Sequence, residues 1–348
     1  MGDVLGGEDG IHGPSIEWES FLISPLGSPV HGPFHPRPGP ARPCRSGFLF
    51  LLAVLLAGTS AAWAPSPARA ASADAAATPR LRVAAALFPL AAVARSVGGS
   101  RVEVDDLTPP GVDAHDLEPT SDQVDTLLDA DLAVVLGGSF QPALDRVTER
   151  RDGPTIVWIA DLEGAAARRA DEDPHVWLDP VRVARFAERV GERLARLDPD
   201  HATGYRRRSG AFVAIVDALD ARYAATLSTC ARDLLITSHE AFGWLAARYG
   251  LREVGVTRGS PDAEPDPARV ADLADLARRE GATTVFTEPL ASDRVARTLA
   301  REAGGLETVV LDPLEGLRGR RGAIGDGADY VRVMERNLDR IATALDCA

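Results

Sequence analysis

Residues Ala225–Tyr249 read ATLSTCARDLLITSHEAFGWLAARY. Asp233–Thr237 is a short apolar run, the pattern of a buried strand, and Glu240–Tyr249 has the apolar spacing of an amphipathic helix. Ser238 and His239 therefore sit where a parallel strand hands over to a helix, and in open α/β sheets ligands bind at that edge. Two other segments set a histidine in a comparable place: GVDAHDLEPT with His115 and DEDPHVWLDP with His175. A fourth, TVVLDPLEGL, puts Asp312 directly after an apolar strand. Three imidazoles and one carboxylate make a four-coordinate set for a borderline divalent ion such as zinc. The acidic run Asp171–Asp173 before His175 reads as a solvated loop, part of a polar linker over Asp161–Pro174.

Outward from that stretch, strand and helix patterns alternate. Leu81–Leu87, Val102–Leu107, Leu132–Leu136 and Thr155–Ile159 read as strands, with helical stretches at Pro89–Val97, Ser121–Asp129 and around Pro142–Arg150. Thr120 is a good N-cap for the second of these helices, and Pro180 opens a long amphipathic one. Beyond His239, Glu253–Val256, Thr284–Thr287 and Glu307–Leu311 alternate with helices through Leu273 and Leu276 and at Arg294–Ala303. Such alternation implies parallel sheets covered on both faces. Between the two series, His201–Leu227 reads as one helix, with Phe212, Ile215, Val216, Leu219, Tyr223 and Leu227 on its apolar side. Asp329–Leu345 is a closing amphipathic helix. The expected fold is α/β: two lobes, residues 79–200 and 230–348, each with a mainly parallel sheet. One long rigid helix within 201–229 joins them.

The chain has 348 residues, room for two ordinary domains, and its 45% hydrophobic and 26% charged content is globular. A formal net charge of -13 argues against nucleic acid as a partner. No Walker A sequence occurs, and Gly137-Gly138-Ser139 lacks the spacing of a dinucleotide fingerprint.

Residues 1–70 read as a disordered leader ending in a signal peptide. Arg37, Arg42 and Arg45 precede the apolar run Phe48–Ala57, and Ala68-Arg69-Ala70 offers a small-x-small cleavage site. The short apolar run favours cleavage over a retained anchor across Phe48–Ala64. The protein is thus expected to be exported, periplasmic or at the cell surface. No Cys directly follows the run, and Cys44 lies before it, so a lipid-attached Cys is not expected. His12, His31 and His35 in the leader are read as incidental, and His201 as a surface residue. Cys230 and Cys347, the two cysteines left after the signal, are a candidate disulfide, against the alternative of two free buried thiols.

From about Pro79 to the end, the chain resembles the zinc- and manganese-binding solute receptors of bacterial ABC importers. GVDAHDLEPT, DPHVWLDP, Asp198-Pro199, SHEAFGWLAARYGL, SPDAEPDP, FTEP and LDPL occur in that family's order and spacing. The resemblance implies two lobes on a rigid helix with a metal in the cleft between them. The ion would pass to a membrane permease driven by a separate ATPase, and the receptor would be a monomer. The ligand positions fall on His115, His175, His239 and Asp312. Zinc is the expected ion and manganese the alternative, which a carboxylate at position 239 would favour. Asp161–Pro174 lacks the His-rich loop of many zinc-dedicated members, and Ala114 stands where some have Glu. A closed set of four ligands argues against an enzyme. The rival from another class is a zinc hydrolase using the three histidines with Asp312 as general base. A surface adhesin finds no module or repeat in its favour.

Overall fold

Four short apolar strands, β1 (Leu81–Ala85), β2 (Val102–Asp106), β3 (Leu132–Val135) and β4 (Thr155–Val157), form an all-parallel sheet in the order β2-β1-β3-β4. The second series, β5 (Leu234–His239), β6 (Arg252–Thr257), β7 (Thr284–Thr287) and β8 (Glu307–Val310), repeats that order as β6-β5-β7-β8. Each sheet therefore has a switch point beside its first strand, where loops leave in opposite directions and open a crevice at the carboxyl edge. The computed structural model describes residues 80–115, 117–257, 264, 266–290, 292–316 and 327–348. The leader, the signal peptide with its cleavage and attachment expectations, and most of the loop 258–267 lie outside the described residues.

Ten α-helices are described: α1 (Phe88–Gly98), α2 (Ser121–Asp129), α3 (Pro142–Thr148), α4 (Ala165–Glu172), α5 (Pro180–Leu197), α6 (Ala202–Leu227), α7 (Gly243–Tyr249), α8 (Pro267–Glu280), α9 (Arg294–Glu302) and α10 (Gly327–Leu345). Thr120 and Gln123 form a reciprocal capping box that starts α2. At α5, Asp179 accepts the Val181 N–H at 3.0 Å with Pro180 in the first turn. The stretch read as a polar linker carries α4. Among the described residues no helix is long and apolar enough to cross a membrane.

The long helix α6 buries Tyr205, Ser209, Phe212, Val216, Leu219, Tyr223 and Leu227 at helical spacing. Ile215 departs from the expected stripe: it is 52% exposed, on the solvent side one position before Val216. Each large apolar side chain in the stripe contributes about 1.5–3 kcal/mol of burial that Ile215 does not. The first half of α6 is tied to the first lobe, where Arg208 donates to the carbonyls of Val97 and Gly98 and Ser209 donates to that of Ala187. Its second half meets α10, with the Tyr223 hydroxyl on the Met334 carbonyl at 2.6 Å.

A second tie runs back along α10. The Gly327 N–H donates to Ser96 Oγ on α1, and the Tyr330 hydroxyl donates to the Trp177 carbonyl. The lobes are therefore bridged twice, and their described residues fall in one compact unit. A single buried cluster runs from Val83 and Leu132 of the first sheet through α1, α5 and α6 to Leu235, Phe286 and Tyr330. A separate one packs Leu234, Ile236 and Val285 against α8 and α9. Alternation along β5 thus gives Leu234 and Ile236 to the outer cluster and turns Leu235, Thr237 and His239 to the other face, toward the first lobe.

The start of β5 is pinned to the end of α10. The Cys230 and Cys347 sulfur atoms lie at bonding distance, and the Ala231 and Arg232 N–H groups donate to the carbonyls of Asp346 and Leu345. A link over a sequence separation of 117 stabilises by up to about 4–5 kcal/mol in the chain-entropy account. Thiol titration of the unfolded, unreduced protein should find neither Cys230 nor Cys347 reactive, and reduction should lower the melting temperature. Two reactive thiols beyond Cys44 would exclude the bridge.

Candidate metal centre

Both carboxyl edges deliver histidines to one point. His239 is the last residue of β5, in register with Thr257, so the strand runs two residues past its expected end and holds the imidazole on its inner face. His115 lies on the loop after β2, where its N–H donates to Asp113 Oδ1 at 2.8 Å. His175 precedes a 3₁₀ turn, Val176–Leu178, and its N–H donates to Asp173 Oδ1 at 3.0 Å. The three ring centroids are 5.0 to 5.5 Å apart.

The carboxylate that joins them is Glu315. One ligand atom each from His115, His175, His239 and Glu315 lie within 4.8 Å of one another. Glu315 Oε1 is 2.7 Å from His175 Nε2 and 3.3 Å from His115 Nε2, and those two nitrogens are 3.4 Å apart. Asp312, the expected fourth ligand, is not in this group. Its N–H and C=O are both bonded to the Asn337 side chain, at 3.1 and 2.7 Å, and its Oδ1 accepts the Leu314 N–H at 2.9 Å. Asp312 therefore builds the turn after β8. Leu314, at φ 64°, then reverses the chain and presents Glu315 inward.

Two more carboxylates stand behind the imidazoles. Asp173 Oδ1 is 2.7 Å from His175 Nδ1, and Glu288 Oε1 is 3.2 Å from His239 Nδ1. Each such pair fixes the ring with Nδ1 toward the carboxylate and Nε2 toward the centre. Asp173, expected in a solvated run, is half-buried for this reason. Phe140 closes one wall, with its ring centroid 4.4 Å from that of His115.

These contacts set the protonation states. Burial alone would lower the pKa of His175, but hydrogen bonds and charge from Asp173 and Glu315 outweigh it and push it up to about 10. Burial would raise Glu315, yet the two imidazoles hold it well below the usual carboxylate range. His239 is shifted up, with Glu288 overcoming burial. Asp312 is shifted up by burial. His175 and Glu315 thus face each other as a buried ion pair across the seam. One atom escapes this arrangement: His239 Nε2 is buried and has no hydrogen-bond partner. An orphaned buried nitrogen costs free energy, and a cation accepting all four lone pairs would remove that cost. Tetrahedral zinc with bonds of about 2.0–2.1 Å needs ligand atoms about 3.3 Å apart; two separations here are 3.3 and 3.4 Å, the His175–Glu315 pair is closer at 2.7 Å, and all four atoms lie within 4.8 Å.

Glu315 carries no sequence signal of its own, since it lies three residues past Asp312 in a chain with 51 acidic residues. Glu288, in the FTEP segment just after β7, had a partial signal: it too follows an apolar strand.

Comparison with known proteins points the same way. The sequence profile described as "Zinc-uptake complex component A periplasmic" matches residues 83–344. The zinc-binding lipoprotein AdcA of Streptococcus pneumoniae is 30% identical over 284 residues, covering 77% of this chain and 56% of that protein. This chain thus spans about half the length of the AdcA proteins it matches. The high-affinity zinc uptake system protein ZnuA of Bacillus subtilis is 30% identical over 283 residues, covering 76% of this chain and 88% of that one. The crystal structure of the Zn(II)-bound ZnuA-like domain of S. pneumoniae AdcA superposes with a TM-score of 0.67 at 31% identity, covering 77% of this chain and 99% of that domain.

Two outcomes follow from the geometry, with zinc as the probe. Glu315→Gln should lose most of the zinc-induced rise in melting temperature, with affinity falling by more than the roughly 10–100-fold typical of an outer-shell loss. Asp312→Asn keeps the acceptor for Leu314 and should retain that rise; the reverse pattern would restore Asp312 as the ligand. The ion must also displace the proton that His175 holds up to about pH 10. Affinity should therefore rise with pH across the neutral range and binding should release protons, read by calorimetry in two buffers of different ionisation enthalpy.

Proposed function

Because the chain belongs to the family of periplasmic zinc-uptake complex component A, we propose that it is an extracytoplasmic receptor that captures zinc and delivers it to the permease of an ABC importer. A separate ATPase would drive that permease, and the receptor would act as a monomer. Its ligands are His115, His175, His239 and Glu315. The observation that carries this reading is the buried, unpartnered Nε2 of His239 facing two imidazoles and a carboxylate. The relatives named for zinc support the choice of cargo.

The ligand chemistry favours zinc over manganese. Zinc takes mixed imidazole and carboxylate ligands in a four-coordinate shell without geometric cost, whereas manganese favours oxygen and sits low in the divalent affinity order. Glu315 offsets one of the ion's two positive charges, and Asp173 and Glu288 behind two of the imidazoles more than offset the other. Binding rather than catalysis fits the same arrangement. Four protein ligands leave no position for an activated water, and Asp312, the general base of the hydrolase reading, lies outside the cluster with its carboxylate accepting the Leu314 N–H.

Metal analysis of protein purified without chelator, followed by competition titration, tests the proposal. Zinc should be present at one equivalent and bind more tightly than manganese, and His239→Glu should narrow that gap. Tighter manganese than zinc binding by the unmodified protein would reverse the assignment.

A further inference from the structure

Residues 169–182 belong to the first lobe by sequence, yet the second lobe grips them from two sides. On one side the Trp177 indole N–H donates to the Pro313 carbonyl at 2.7 Å, and the Trp177 carbonyl accepts from the Tyr330 hydroxyl at 2.8 Å. Trp177 is fully buried, so neither bond is shared with solvent. On the other side the Trp244 indole N–H donates to the Asp173 carbonyl at 2.7 Å. The guanidinium groups of Arg169 and Arg182 each stand 5.5 Å from the Trp244 ring centroid. Arg248 adds an ion pair to Asp179 at 3.6 Å. Gly243 lets this seam close, since a Cβ there would lie 2.5 Å from Asp173 Oδ2.

Both indoles act at the ends of short levers. Trp177 is two residues from His175, and its acceptor Pro313 is two residues from Glu315. Trp244 holds Asp173, whose carboxylate orients His175. We propose that Trp177 and Trp244 are positioning residues for metal capture: they lock the His175 loop to the second lobe. His175, His239 and Glu315 then stand at ligand spacing before an ion arrives. The proposal rests on the metal-receptor reading. Its physical content is preorganisation: ligands already fixed need no ordering when the ion binds, and a loosened loop would forfeit that advantage.

The test is Trp177→Phe and Trp244→Phe in the full chain, each of which keeps a ring and removes one N–H. Trp158→Phe is the control, because Trp158 is buried on Phe186 at 4.1 Å in the first lobe and touches no ligand. Three quantities are read: the melting temperature without metal, the zinc dissociation rate into excess chelator, and the ligand-field spectrum of the cobalt(II) form. Trp177→Phe and Trp244→Phe should speed zinc release about 10- to 100-fold and shift the cobalt spectrum. Trp158→Phe should lower the melting temperature with zinc release and spectrum unchanged. Should Trp177→Phe fail to fold, Tyr330→Phe removes the other bond of that clamp at little change in volume and should also speed release. If the site variants lower only the melting temperature, as the control does, the positioning role is excluded. If the unmodified protein binds zinc but the variants release it no faster, this proposal alone fails. If the unmodified protein binds no zinc, the receptor reading fails with it.

Discussion

The structure turns on a single buried carboxylate. Glu315 enters the seam from the second lobe and meets His175 and His115 of the first at 2.7 and 3.3 Å. A carboxylate this deep, 2% exposed, would be strongly destabilising without a positive partner. Compensation comes from the opposite lobe. The charge that defines the site is thus also an adhesive between the lobes. In the receptor proposed above, the oxygen that now faces His175 and His115 would be the one offered to the ion.

That arrangement depends on a repeated topology. The two sheets share one strand order, so each presents its switch-point crevice at its carboxyl edge. β5 ends in His239, and the loops after β2, β7 and β8 supply His115, Glu288 and Glu315. Two long helices then fix the edges against each other: α6 runs between the lobes, and α10 returns from the second to touch α1 and the Trp177 carbonyl. α10 also holds the Asp312 turn through Asn337, while its far end is tied to the start of β5. One helix thereby braces the turn that carries Glu315 and the strand that carries His239.

The parts legible in the sequence were those with strong local signatures. Apolar runs gave the strands, and the capping residues Thr120 and Pro180 marked helix starts. The three site histidines stood out because histidine is rare here, seven in the chain with three of them in the leader. Asp312 looked equally well placed at a strand end, but position after a strand does not reveal where a turn sends the next residues. The reversal at Leu314 requires a positive φ that nothing in LDPLEGL announces. Asn337, which occupies the Asp312 backbone, is 25 residues away. Ile215 failed for a related reason: which edge of a helical stripe faces solvent is set by the neighbours α5 and α10, not by the stripe itself. Asp173 was hidden among acidic neighbours, though its role required only contact with a buried imidazole.

A receptor, as proposed here, must hold its ion tightly and still release it, and the four candidate ligands are unequal in a way that bears on both demands. His175 and His239 each have a carboxylate on the distal nitrogen, and both are buried, 1% and 0% exposed. His115 uses its backbone N–H, rather than its ring, to bond the nearby carboxylate of Asp113, and its side chain keeps 10% exposure at the edge of the cluster. An imidazole oriented by a buried carboxylate has its ring angle set before binding, whereas His115 is set by the turn around Asp113 and by the face of Phe140. Of the four candidate ligands only His115 reaches the surface, so in the proposed receptor it is the side from which solvent can approach the ion.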